Sequence, residues 1–303
     1  MIVINLDKEK EYQLPPDCSL CLGMFDGVHV GHQRLFVKGK NSNSLVAVLT
    51  FTSSPKFVLN NRLNSSLITP VNKRVEVLEK LGIDIVLLKD FTLEFASMTS
   101  ESFIDNFLKV LNPSCLVVGF DYRFGQYGKG NIELLKQHFV AHEISSVNDE
   151  NGKISSTRII EGLNSGNIHD VNKCLGRTYE IEGKVVHGLK NGNTINFPTA
   201  NILLKENYIL PKDGVYIGLI KVANKMLKAM INVGKHPTIS ELKESIIEVH
   251  IIDFNENIYD QDVQILFLDY LRDERSFSSL NDLKIELEKN RLTVLEYFKN
   301  KKI

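Results

Sequence analysis

Hydrophobic and polar positions follow two different rhythms along the chain. In the first half, short apolar runs alternate with stretches of helical spacing. Ser19 to Met24 is an apolar run ending in a Gly-rich turn, after which His32 to Gly39 reads as the start of a helix. Leu45 to Phe51 is a dense β-type run, and Ile83 to Leu88 and Ser114 to Gly119 read as further buried strands. Between them, Asn72 to Leu81 places Val75, Leu78 and Leu81 on one helical stripe. A helix from Ser100 to Leu111 has Phe103, Phe107 and Val110 on its apolar face. Strand and helix alternating in this order predict a parallel sheet with helices on both faces.

The second half changes period. Tyr179 to His187, Gly214 to Val222, Met226 to Val233, Ile246 to Asp253 and Val263 to Leu271 all read as strands, with a hairpin turn at Asn224-Lys225. Helical patterning returns only from Ser279, with Leu283, Leu287 and Leu295 on one stripe. Consecutive strands without intervening helices predict a small antiparallel barrel with a C-terminal helix. Ser156 to Gly176 reads as a helix followed by a chain reversal, so the expected domains are residues 1–176 and 177–303.

Two domains also suit a chain of 303 residues, which exceeds what one hydrophobic core usually organises. A net charge of -1 supplies no general field for nucleic acid or an anionic membrane, so any anionic ligand must be held by a local site. Charges arrive early at the N-terminus, no apolar run is long enough to span a bilayer, and a cytoplasmic protein is expected. Of four cysteines, Cys18 and Cys21 form Cys-x-x-Cys inside an apolar run with no second pair at metal spacing. Buried strand cysteines are the expectation.

The first chemical constellation is Gly23-Met24-Phe25-Asp26-Gly27-Val28-His29-Val30-Gly31-His32, between a strand and a helix. Glycines allow close backbone approach, and a helix N-terminus offers free N–H groups and partial positive charge, which suits phosphate. His29 and His32 are candidate donors to a phosphate undergoing attack. A metal pair, for which no third ligand suggests itself, and plain turn histidines are the other readings. The second constellation is Gly192-Asn193-Thr194-Ile195-Asn196-Phe197-Pro198-Thr199-Ala200-Asn201. In an extended chain Thr199 and Asn201 share a face, and their oxygens are hard ligands suited to Mg²⁺ beside a nucleotide. A Pro-containing turn is the plain alternative. Glu248 and His250 likewise share one face of the run Ile246 to Ile252, as they would in any half-exposed strand. There is no Gly-x-x-x-x-Gly-Lys-Ser/Thr, so the kinases built on that loop are excluded.

The segment Gly-x-Phe-Asp-Gly-x-His-x-Gly-His resembles the nucleotide-binding signature of the bacterial bifunctional riboflavin kinase/FAD synthetases. Leu67-Ile68-Thr69-Pro70 with Arg74, Phe95-Ala96-Ser97-Met98, Val118 to Gly125 and Ile154-Ser155-Ser156-Thr157 follow in the same order. Asn-Phe-Pro-Thr-Ala-Asn, Gly214-Val215-Tyr216, Asn232 to Thr238, Glu248 and Leu271 to Phe277 are similar to their riboflavin kinase part. The resemblance implies a Rossmann-like HxGH nucleotidyltransferase domain followed by a six-stranded antiparallel riboflavin kinase barrel. The substrates would be ATP, riboflavin and FMN, the product FAD, and the ion Mg²⁺. It places Gly23, Phe25, Asp26, His29, Gly31, His32, Ser155, Ser156, Thr157 and Arg158 at ATP in the first domain, with Phe120 and Asp121 on its flavin side. In the second it places Gly192, Pro198 and Thr199 at ATP and Thr199 and Asn201 at the metal. Glu248 becomes the general base, and Arg272 lies beside the flavin. The sequence departs from the family pattern at Ser53-Ser54-Pro55, Gly128, Ile160 and Asn196. Ile160 stands where an Arg is usual: either Arg158 or another cation substitutes, or the adenylyltransferase site is slow, and Ile160 as a plain packing residue is the bland alternative. A kinase with a weak adenylyltransferase module and a flavin-binding regulator are the alternative readings.

Overall fold

The computed structural model describes residues 1–9, 11–60, 66–187, 197–235 and 245–301. They form two compact units, Met1–Ser156 and Thr157–Ile303. Gly192 and Asn196 lie outside the described residues, as do His236 to Thr238.

The first unit is built on a six-stranded, wholly parallel sheet. Its strands are β1 (Ile2–Asn5), β2 (Cys18–Leu22), β3 (Leu45–Phe51), β4 (Ile85–Lys89), β5 (Cys115–Gly119) and β6 (Ala141–Ile144), in the order β1-β4-β3-β2-β5-β6. Alternation along the strands feeds two cores, because successive side chains leave opposite faces. Leu20, Leu22, Leu49, Leu87 and Val118 pack under Phe103, Ile104, Leu108 and Leu135. Cys21, Val46, Val48, Val86 and Val117 pack on the other face with Leu35, Phe36, Val77 and Leu78. The cysteines Cys18, Cys21 and Cys115 are buried strand residues, and burial pushes the Cys18 thiol up to about 11. The predicted Ser100–Leu111 helix is continuous but passes through a π-helical turn at Ile104–Leu108. The two edge strands, β1 and β6, have only four residues each and escaped the pattern reading. A two-residue pairing, β7 (Asn148–Asp149) with β8 (Gly152–Lys153), ends the unit.

The second unit is a closed barrel. Its strands are β9 (Tyr179–Val186), β10 (Ala200–Leu204), β11 (Gly214–Val222), β12 (Lys225–Lys235), β13 (Ser245–Ile251) and β14 (Asp262–Arg272). The order around it is β10-β13-β12-β11-β14-β9, every pair antiparallel. Tyr179, Ile181, Val185, Tyr216, Ile231, Val249, Ile265 and Phe267 are all buried. The C-terminal helix Leu280–Asn300, capped by Ser279, packs Val294 and Phe298 with Phe197, Ile217 and Met230. The β11–β12 turn is Ala223-Asn224, one residue earlier than expected, since Val222 pairs with Lys225.

The sequence pattern put the domain boundary at Gly176; the division falls at Ser156. Packing of two short helices, Ser156–Ser165 and Ile168–Leu175, accounts for the difference. Gly162 lets the two approach, since a Cβ there would lie 2.7 Å from Val171 Cγ2. Asn172 Nδ2 donates to Phe267 O of β14, the Tyr179 amide donates to Asn172 Oδ1, and the Lys212 amide donates to Leu163 O. Both helices therefore belong with the barrel. A fragment Thr157–Ile303 is expected to unfold in one cooperative transition. One starting at residue 177 loses the buried Ile168, Val171, Cys174 and Leu175, each worth about 1–3 kcal/mol, and should melt at lower temperature or fail to fold by circular dichroism.

Candidate active sites

In the first unit, β2 is flanked by β3 on one side and β5 on the other, so strand order reverses beside it. Ligand crevices in open α/β sheets form outside the carboxyl ends of the strands at such a point. The turn after β2 occupies that place. Its backbone is unusual: Phe25, Gly27 and Val28 all have positive φ, at 52°, 85° and 44°. Left-handed geometry at a β-branched residue is costly, of order 1–3 kcal/mol, and such strain persists only where the surroundings impose it.

Four hydrogen bonds impose it here. The Asp26 carboxylate accepts hydrogen bonds from the Thr69 amide at 2.9 Å and the Ile68 amide at 3.3 Å. Ser156 Oγ donates to Asp26 O at 2.9 Å, and Thr50 Oγ1 donates to Met24 O at 2.7 Å. Beneath them lies Arg74, fully buried on the helix Val71–Lys80. Its Nη1 donates to Thr50 Oγ1 and Phe51 O, both at 2.8 Å, and its Nη2 donates to Thr69 O at 3.3 Å. Burial raises the Asp26 carboxyl above its ordinary value, while Arg74 and the amides of Thr69, Ile68 and Gly27 oppose the shift. Asp26 and Ser156, expected at ATP, both make hydrogen bonds that hold the turn.

His29 is the N-cap of the helix Val30–Ser42, and its Nδ1 accepts from the His32 amide at 3.2 Å. In neutral His29 the proton therefore sits on Nε2, which is a donor. The two imidazoles stack with centroids 3.6 Å apart, and the Phe25 ring meets His32 edge-on. Gly31 lies against the His29 ring, where a Cβ would come within 3.0 Å. Gly23 lies equally close to Phe25. The turn thus presents helix N–H groups and an imidazole donor together. At the end of β5, next to β2, stand Phe120 and Asp121. Lys153 Nζ lies 4.2 Å from the Phe120 ring centroid and 3.0 Å from Asp121 Oδ2. Lys153 was not foreseen, since nothing local marks it. Ser155 is half-buried beside this hairpin, while Thr157 and Arg158 open the second unit. Arg158 was expected at ATP. Its guanidinium pairs with Asp170, with Nε 2.9 Å from Oδ2, and both side chains are nearly buried. Asp170 sits one turn into the next helix, a pairing invisible without the helix–helix packing.

In the barrel, register does the assembling. Asn201 of β10 pairs with Glu248 of β13, and Glu248 pairs with Asn232 of β12. Directly paired residues share a sheet face with Cβ atoms about 5 Å apart. The three half-buried polar side chains form a row, whereas their neighbours Ile247, Val249 and Val233 are buried. Pro198 and Thr199 lead into β10. His250 Nδ1 lies 2.9 Å from Pro198 O and its ring is 5.1 Å from that of Phe197, so β13 holds this lead-in from the far side of Glu248. Burial lowers the His250 pKa, and neutral His250 donates from Nδ1 to that carbonyl.

Thr199 also lines a cleft of about 460 Å³ with Pro198, Val185, Val249, Phe254, Asn255 and Tyr259. The segment Phe254–Tyr259 was missed. Its only local signal is turn chemistry, the Asn257 side chain accepting from the Tyr259 amide. Arg272, expected beside flavin, ends β14 with Nε 3.3 Å from Glu286 and 3.4 Å from Asn290 Oδ1 on the C-terminal helix. Among the described residues, no group of three or more His, Cys, Asp or Glu is placed to hold a metal.

A nucleotidyltransferase sheet and a kinase barrel, each with one polar centre, define a two-module nucleotide-using enzyme. Residues 11–158 match the FAD synthetase family and residues 175–298 the riboflavin kinase family. The bifunctional riboflavin kinase/FMN adenylyltransferase of Listeria monocytogenes is 35% identical, covering 92% of each chain. That of Escherichia coli K12 is 33% identical, covering 93% of each. A Streptococcus pneumoniae crystal structure described as a macrolide-efflux protein superposes with a TM-score of 0.89 at 35% identity, over 97% of this chain and 99% of that one. Among the described residues of this chain, no helix is long and apolar enough to cross a membrane. The chain belongs to the family of bifunctional riboflavin kinase/FMN adenylyltransferases.

Arg74→Met is expected to remove the brace under the turn after β2 and to take a neighbouring cation from buried Asp26. Breaking a buried charged network costs about 3–5 kcal/mol. Denaturant melts should show the first unit destabilised by that order while the barrel transition stays put, and FAD formation should fall with it.

Proposed function

We propose that the two reactions of the family are divided between the units and carried by the residues above. ATP and riboflavin give FMN and ADP in the barrel; ATP and FMN give FAD and pyrophosphate on the parallel sheet.

The observation that carries the kinase reading is the register pair Asn201–Glu248, which sets a carboxylate beside a hard oxygen donor two residues after Thr199. An alcohol is a poor nucleophile until a positioned base accepts its proton. Glu248 takes the proton of the ribityl 5′-hydroxyl as its oxygen bonds to the γ-phosphorus, and ADP leaves with the electrons of the broken P–O bond. The Thr199 hydroxyl and Asn201 amide oxygen suit Mg²⁺, which prefers oxygen donors and keeps much of its shell for phosphates and water. When bound, Mg²⁺ supplies charge neutralisation on the transferring phosphate. The cleft bounded by Val185, Val249, Phe254 and Tyr259 has the size and apolar walls to take a nucleobase next to Thr199.

In the first unit, His29 Nε2–H and the free amides at the start of helix Val30–Ser42 supply donors where charge grows on the triphosphate. An FMN phosphate oxygen attacks the α-phosphorus and pyrophosphate departs, a reaction that asks positioning and electrostatics of the protein and no covalent step. Phe120 offers an exposed aromatic face at the adjacent strand end for a flavin ring. Dependence on ATP supports a cytoplasmic setting.

Glu248→Gln keeps the shape but cannot accept a proton. FMN formation is expected to fall about 10²–10⁴-fold while FMN-to-FAD conversion is unchanged. His29→Ala is expected to do the converse, lowering FAD formation about 10²–10³-fold at constant FMN formation. Chromatographic separation of products from ATP, Mg²⁺ and either flavin reads both. If Glu248→Gln retains near-normal kinase turnover, Glu248 is only a half-exposed strand residue.

A further inference from the structure

The row that contains Glu248 has a third polar member with no role so far. Asn232 of β12 pairs with Glu248 on the side opposite Asn201, so the carboxylate stands between two amides on one face. Asn232 is half-buried, and among the described residues no side-chain hydrogen bond engages its amide. The row does not stop there. Asn232 pairs with Val215 of β11, and Val215 pairs with Arg272 of β14. One line of neighbouring side chains thus runs Asn201, Glu248, Asn232, Val215, Arg272.

Direction along this line follows from the reaction. The oxygen that Glu248 deprotonates must bond to phosphorus on one side and remain bonded to its carbon chain on another. The phosphoryl donor lies toward Thr199 and Asn201. The carbon chain of the acceptor must therefore leave the other way, over Asn232 and toward Arg272. A polyol crossing that position brings a second hydroxyl next to the one being phosphorylated. A primary amide carries both a donor and an acceptor and suits a hydroxyl, which is both as well.

We infer that Asn232 is a specificity-determining residue that hydrogen-bonds the hydroxyl adjacent to the phosphorylated one, the ribityl 4′-hydroxyl, and so selects polyol acceptors. The inference rests on the reading of Glu248 as the base that marks the reacting oxygen. A site built to pair a hydroxyl rejects an analogue without it, because its own polar group is left unpaired.

The test uses the full-length protein and two acceptors, riboflavin and 4′-deoxyriboflavin. The wild type should prefer riboflavin. Asn232→Ala should lower kcat/KM for riboflavin about 10- to 100-fold and leave the value for 4′-deoxyriboflavin nearly unchanged, so that the preference disappears. KM for ATP and the rate of FMN-to-FAD conversion should not move. Asn232→Ser, which retains a hydroxyl, is expected to keep part of the preference and is read in the same way if the alanine variant does not fold. A preference that survives in the folded variant, or a loss equal for both acceptors, overturns the proposal. Glu248→Gln is run alongside. Should it stay active while Asn232→Ala loses the preference, the base assignment fails and the role of Asn232 stands.

Discussion

A guanidinium buried in the first unit sets the terms for the turn after β2. Arg74 has no exposed surface, and a charge so placed must find its partners within the protein. Its Nη1 and Nη2 donate to Thr50, Phe51 and Thr69, which come from the end of β3 and from the loop ahead of its own helix. Thr50 passes the constraint on to Met24, and Thr69 passes it to Asp26. The turn is thereby held in a left-handed geometry that its own residues, Val28 above all, do not favour. The strain is local, and the stabilisation comes from a network two strands wide.

Among its described residues, the barrel solves the corresponding problem without a fully buried ion. Closure leaves no edge at which strands can slip, and a slip of one residue would move each strand's polar set to the inner face. Register alone then brings Asn201, Glu248 and Asn232 into line from three strands far apart in sequence. His250 adds the contact that ties the lead-in to β10 to the same strand that carries Glu248. The two units thus reach their sites by different means: a polar brace beneath a strained turn in one, and cross-strand geometry in the other.

Much of this was legible beforehand. The two rhythms of apolar spacing announced a parallel sheet and then a barrel, because core-facing periodicity follows directly from backbone geometry. The strand ends at Gly214 and Val222 and the helix cap at Ser279 coincide with the pattern. Motif residues such as His29, Thr199, Asn201 and Glu248 are identifiable because chemistry restricts their residue types. The short edge strands β1 and β6 were not legible, since runs of only four residues are too short to carry a periodic signal.

What the sequence determined by itself was therefore the local order: which segments are strands and helices, where the Gly-rich turn begins, and which families the motifs resemble. Tertiary structure alone decided that Asp26 and Ser156 brace the turn, that Arg158 is bound to Asp170, and that the helices Ser156–Ser165 and Ile168–Leu175 belong with the barrel. It alone decided that Asn232 is a neighbour of Glu248. The reason is physical. A residue's conformational preference acts over a few neighbours in the chain, whereas a hydrogen bond, an ion pair or a cross-strand contact depends on which distant segments the packing brings within a few ångströms.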